Sequence, residues 1–111
     1  MVWRRGEIVG VNLNPRKGHE VGKVRPCVIL SDDDANEMLD TVVVVPLSTS
    51  LRENVYPYRV RLLAREGLIH DSDVLINHVR AVLKRRITSR IARVEDGEYR
   101  KIIQALCESV Q

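Results

Sequence analysis

Apolar residues along this chain come in short bursts at the spacing of strands, and only at the end at the spacing of a helix. Residues 7–13, EIVGVNL, place Ile8, Val9, Val11 and Leu13 in a mixed apolar pattern. That predicts a strand, with Gly10 marking a bend or close packing. Asn14-Pro15 ends it, because proline cannot donate to a sheet ladder. Residues 25–31 predict a second strand, its Cys27-Val28-Ile29-Leu30 run apolar throughout. The polar, acidic residues 31–34 follow, and Ser31 or Asp32 is placed to cap a short helix reaching about Leu39. Residues 41–47, TVVVVPL, are nearly continuous in β-branched side chains, the signature of a strand buried on both faces, and Pro46 sets its end at an edge or a bulge.

Residues 58–62, YRVRL, alternate, with Tyr58, Val60 and Leu62 on one face and Arg59 and Arg61 on the other. Residues 73–77 and 78–83 are apolar-rich and carry no turn signal between them, so one long bent strand is expected. A basic run, Lys84-Arg85-Arg86, reads as a solvated face, and residues 87–94 as a last short strand. From residue 95 to 110 the period changes. Tyr99, Ile102, Ile103, Leu106 and Val110 share one helical face. Strand after strand closed by one helix predicts a mainly β fold with some α: a compact, mostly antiparallel sheet or barrel.

The length of 111 residues suits a single domain spanning residues 1–111. Hydrophobic content of 44% beside 30% charged residues excludes general disorder. With no Phe, one Trp and three Tyr, the core has to be built from Val, Ile and Leu. A net charge of +3 permits a polyanionic partner without demanding one. Cys27 and Cys107 lack metal-ligand spacing and read as reduced thiols. No apolar run approaches the roughly 20 residues of a membrane span, and the N-terminus lacks the apolar core of a signal peptide. The expected location is the cytoplasm.

Candidate chemistry gathers in residues 17–31, KGHEVGKVRPCVILS. Gly18 and Gly22 free the backbone. His19, Glu20, Lys23 and Arg25 supply proton-transfer and phosphate-contacting groups, and Pro26 biases Arg25 toward an extended conformation. Charge chemistry on a loop beside an arginine anchored in a sheet suits a phosphodiester-cleaving or nucleic-acid-binding site. Ser48, Thr49 and Ser50 present three hydroxyls where a strand emerges, although a solvated turn explains them as well. Asp32, Asp33 and Asp34 lack the glycine and distal glutamate of a calcium loop, and a helix start accounts for them without a metal.

Several stretches together resemble the MazF/PemK family of toxin endoribonucleases, which includes Kid. They are RGEI at residues 5–8, NLNP at 12–15, KGHEVGKVRP at 17–26, the Asp33 and Asn36 pair, VVPLSTSL at 44–51, GLIHDSDVL at 67–75 and HVRAV at 78–82. The resemblance implies a small twisted antiparallel β-barrel or sheet of the plasmid-maintenance-toxin type, with a short internal helix and a C-terminal helix. It also implies a homodimer, an acidic MazE-like antitoxin, and metal-independent, cofactor-free, sequence-selective cleavage of single-stranded RNA to 2′,3′-cyclic phosphate and 5′-hydroxyl ends. Arg25 matches the family's catalytic arginine, Ser48 its phosphate-binding hydroxyl and His19 the loop histidine of the Kid branch. Lys17, Glu20, Lys23, Thr49, Asn77, His78 and Arg80 are the implied RNA contacts.

Once RNA is granted as substrate, internal attack by a 2′-hydroxyl needs a proton acceptor, a proton donor to the 5′-oxygen, and donors for charge gathering at phosphorus. A guanidinium stays charged and suits the last role. An imidazole exchanges protons near neutrality and suits the first two. Asn77 and His78 stand where relatives carry a carboxylate and Gln. This departure weakens a carboxylate-base mechanism and puts weight on His19 or His78, whereas His70, before the Asp71-Ser72 turn, reads as a surface residue. Two alternatives remain from sequence: a non-enzymatic CcdB-like toxin that binds DNA gyrase, and a degenerate paralogue that only binds antitoxin or RNA.

Overall fold

The computed structural model describes residues 2–14 and 23–111. In chain order these form strand β1 (Glu7–Asn12), β2 (Val24–Ile29), helix α1 (Asp33–Met38), β3 (Thr41–Ser48), β4 (Arg59–Leu62), β5 (Ser72–Leu75), β6 (Arg80–Leu83), β7 (Ile87–Arg93) and helix α2 (Asp96–Ser109). The sheet runs β4-β5-β3-β2-β1-β7, with β6 also paired to β3, and every pairing is antiparallel. The mainly antiparallel sheet, the lone short helix and the C-terminal helix follow the sequence pattern. No helix among the described residues is long and apolar enough to cross a membrane.

Alternation along β1 sends Ile8 to one apolar cluster and Val9 and Val11 to another, so both sheet faces are covered. The first cluster lies under α2 and includes Val45, Leu47, Ile102 and Ala105. The second takes Cys27, Ile29, Val42 and Val44, with Trp3 and Ile87 at its margin. This two-sided burial explains the mixed apolar run of β1 and the continuous one of β3. Gly10 sits opposite Pro26 and beside a register shift against β7, where a Cβ would lie 2.6 Å from the Thr88 hydroxyl.

Pro46 is in an interior strand, facing Cys27 of β2. On the other flank of β3, β6 pairs residues 41–44 and β5 pairs residues 47–48. The Leu30 N–H donates to the Val43 carbonyl at 2.8 Å, so alternation turns residue 46 away from β2 and into the gap between those two partners. The missing N–H therefore breaks no ladder bond there.

The long bent strand expected over residues 73–83 is instead two strands joined by a 3-10 turn, Ile76–His78. Both have to share one flank of β3, and the turn makes the sidestep while burying Ile76. Ordinary residues tolerate such a turn, so no glycine or proline announces it. Two smaller expectations also change. Tyr58 precedes β4 and is exposed, and Val110 lies past the end of α2 and is exposed, leaving Ile102 and Ala105 as the buried stripe of that helix.

Two of the three acidic residues at the start of α1 serve the backbone. Asp32 caps the helix by accepting the Ala35 N–H at 2.8 Å, and Asp33 accepts the Arg5 N–H at 2.8 Å. Buried Asn36 donates to the carbonyls of Ser31 (3.0 Å) and Trp3 (3.3 Å), pinning the N-terminal segment to α1.

Candidate active site

Arg25 emerges from β2 at a cavity of about 280 Å³ whose wall also includes Pro26, Leu47, Thr49, Leu68, Ile91 and His70. The loop that closes one side is held closely. Gly67 has a φ of +83°, and a Cβ there would sit 1.9 Å from the Ile91 carbonyl oxygen, so only glycine lets the loop lie on β7. Arg65 and Leu68 exchange two backbone hydrogen bonds of 2.9 Å. The Arg65 guanidinium binds the Glu98 carboxylate of α2 through both nitrogens, at 2.5 and 2.7 Å. Held from both sides, the loop carries Ile69 and His70 to the cavity.

The hydroxyls at the end of β3 divide. Thr49 lines the cavity, whereas the Ser48 Oγ accepts the Ser50 N–H at 3.1 Å and shapes the turn. A charge cluster fixes the segment that follows. The Asp73 side chain is 1% exposed and accepts Arg61 Nε at 2.6 Å, Arg59 at 3.2 Å and the Arg52 N–H at 2.9 Å. Arg59 also donates to the Ser50 carbonyl (2.8 Å), and Arg61 to the Arg52 carbonyl (3.0 Å). Burial alone pushes the Asp73 carboxyl up. The hydrogen bonds from Arg61, the Arg52 backbone and Arg59, with the charge of Arg61, outweigh it and hold the carboxyl below its ordinary value. This cluster escaped the sequence reading, although Arg59 and Arg61 on one face of a strand were its visible half.

Of the other sequence-derived site residues, Lys23 stands at the edge of the described region, its N–H donating to the Asn14 side chain at 2.7 Å. Lys17, His19 and Glu20 lie outside the described residues. Asn77 and His78 sit on the 3-10 turn and Arg80 on β6 opposite Val44; none of the three lines the cavity. Arg80 and Arg25 meet electrostatically at Cys27. Burial pushes that thiol up to about 12, against the opposing pull of both arginines. A thiol so placed is a packing residue, not a nucleophile. The structure thus joins Arg25 and Thr49 and adds His70, which is exposed, as the sequence placed it, and also lines the cavity.

The family model for the "PemK-like, MazF-like toxin of type II toxin-antitoxin system" matches residues 4–110. The chain belongs to this family. It is 34% identical over 111 residues to Endoribonuclease MazF9 of Mycobacterium tuberculosis (strain ATCC 25618 / H37Rv), covering 95% of this chain and 93% of that one. It is 30% identical over 107 residues to Endoribonuclease EndoA of Bacillus subtilis (strain 168), covering 96% and 92%. The crystal structure of MazF (Form-I) from Deinococcus radiodurans superposes with a TM-score of 0.84 at 27% identity, covering 99% and 97%. The motifs that carry the resemblance occupy defined places in this toxin fold: Glu7 of RGEI is buried under Arg90, Arg-Pro opens β2, and the GLIHDSDVL stretch forms the cavity loop and β5.

Proposed function

We propose that this toxin is an endoribonuclease that cleaves single-stranded RNA, in a sequence-selective manner and without a metal or other cofactor, by attack of a 2′-hydroxyl on the adjacent phosphodiester. The observation that carries the reading is the meeting of Arg25 and Thr49 at one cavity in a chain of this family. Internal attack needs no metal-generated nucleophile, because the nucleophile belongs to the substrate. Arg25 clamps the non-bridging oxygens and stabilises the charge that builds as phosphorus becomes pentacoordinate. Thr49 offers a hydroxyl to the same phosphate. Ser48 sets the turn that presents it and adds a second hydroxyl beside it.

His19, Lys17, Glu20 and Lys23, from the segment preceding β2, complete the phosphate and base contacts, and Asn77, His78 and Arg80 extend the RNA path past the cavity. Asn and His at 77 and 78 offer an unstacked base edge other donors than a carboxylate would, so the chain's cleavage motif differs from that of relatives carrying the acid. The toxin works in the cytoplasm as a homodimer of a single domain, and an acidic, MazE-like antitoxin tail covers its basic surface. An arginine and a hydroxyl converging on one cavity favour this reading over gyrase contact, which needs neither.

The test is incubation of purified protein with a long single-stranded RNA in EDTA. The expected products carry 2′,3′-cyclic phosphate and 5′-hydroxyl ends. A complex transcript mixture left uncut would remove the reading.

A further inference from the structure

Internal attack requires a group to take the 2′-hydroxyl proton, and the described residues of the cavity offer few. Among the described residues ten line it, from β2, the end of β3, the 67–70 loop, β5 and β7, and of these described residues Arg25 and His70 carry titratable side chains. A guanidinium keeps its proton. Threonine and serine hydroxyls are far too weak as bases, and the Ser72 hydroxyl is buried and donates to the His70 carbonyl at 3.1 Å. His78 and Asn77 stand on the 3-10 turn and do not line the cavity.

Resting on the endoribonuclease reading, we propose that His70 is the general base of the reaction. Its neutral imidazole takes the 2′-hydroxyl proton as the 2′-oxygen bonds to phosphorus. The P–O5′ bond breaks with its electron pair left on the 5′-oxygen, which takes a proton from water, and the imidazolium returns its own proton to solvent. Nothing else is consumed.

The surroundings suit that task. His70 is exposed at the rim, so RNA reaches it, while the bonds that hold residues 65–68 and the Ser72 hydroxyl bond to its own carbonyl fix the backbone that carries it. Arg25 lines the same cavity, so a phosphate held by its guanidinium lies in the space that His70 borders. The neighbouring Asp71 carboxylate is turned onto the Ala64 N–H at 2.7 Å. Histidine at this point supplies a base beside the cavity where the chain lacks a carboxylate at residue 77.

The experiment is the pH dependence of kcat/KM between about pH 5 and 9 on a single-stranded RNA, for the natural protein, His70→Gln and His19→Gln. An RNA with a 2′-deoxy sugar at the cleavage site measures binding alone. The natural protein should show a rate rising through the imidazole range. His70→Gln should lose about 100-fold or more at pH 8 and the rise with it, yet bind the uncleavable RNA within about threefold. His19→Gln should keep the rise. A His70→Gln enzyme that keeps the ascending limb, loses a descending limb instead, or loses RNA binding in proportion to rate overturns the assignment, as does loss of the rise in His19→Gln. A natural protein that cuts no RNA removes the endoribonuclease reading as well, so the two failures are distinguishable.

Discussion

Replacing Asp73 with alanine removes the buried carboxylate shared by Arg59, Arg61 and the Arg52 N–H. Hydrogen bonds to a charged acceptor contribute about 1.5–3 kcal/mol each, so three of them set an upper bound well above the real effect. The arginine side chains are 20% and 32% exposed and can turn to water, and Arg61 keeps Glu53 at 3.1 Å. Removing one partner of a fully buried pair costs about 3–5 kcal/mol. With the partial exposure of the arginines, about 2–3 kcal/mol is expected here. In urea, at a slope of about 1–3 kcal/mol per molar for small proteins, the unfolding midpoint should fall by about 1–2 M. Protein concentration has to be held fixed, because self-association adds to apparent stability.

Asp73→Asn keeps an acceptor for the Arg52 N–H and should lose less than alanine. The acid dependence has a definite sign. Asp73 is held below its ordinary value in the folded state, so its contribution is fully present above the unfolded carboxyl value near 4 and fades as pH falls through the folded value. The gap between the natural protein and Asp73→Asn should be full at pH 7 and shrink below about pH 4. An Asp73→Ala protein within 0.5 kcal/mol, roughly the scatter of neutral surface changes, would refute the reasoning. So would a gap that persists unchanged in acid.

Gly67→Ala combines a left-handed backbone angle, which costs a side-chain-bearing residue about 1–2 kcal/mol, with a Cβ forced onto the Ile91 carbonyl. It should lower the melting temperature clearly and reduce RNA cleavage by displacing the cavity loop, whereas Gly97→Ala on α2, where a Cβ would meet the Arg100 side chain at an unstrained 3.9 Å, should be neutral or stabilise by up to about 1 kcal/mol. Equal melting temperatures for the two would contradict this. Thr49→Val should lose about tenfold or more in kcat with its melting curve unchanged, while Ser48→Ala should show up in stability, by about 1 kcal/mol for the lost Ser50 bond. The reverse pattern would exchange the two roles.

Strand and helix periods were legible where one residue's environment followed from its neighbours. The capped start of α1, the two-sided burial of β3 and the amphipathic α2 are of that kind. The broken segment between Asp73 and Leu83 was not, because it is decided by two strands competing for one flank of β3, a relation between residues about 30 positions apart. Pro46 pointed to a strand end at an edge or a bulge, but β3 is interior and runs on to Ser48, the proline standing where its partner changes from β6 to β5. In the site, Arg25 could be found from its local setting of Arg-Pro before an apolar strand. His70 could not, since the long-range Gly67 contact with Ile91 and the Arg65–Glu98 pair hold that loop at the cavity.

The central claim is that Arg25 stabilises the charge of a cleaving phosphodiester. The direct measurement is the single-turnover cleavage rate of one single-stranded RNA, in EDTA, by the natural protein and by Arg25→Ala with its melting curve checked. A loss of at least about 100-fold, the scale of one missing transition-state donor, is the predicted result; an undiminished rate would contradict it.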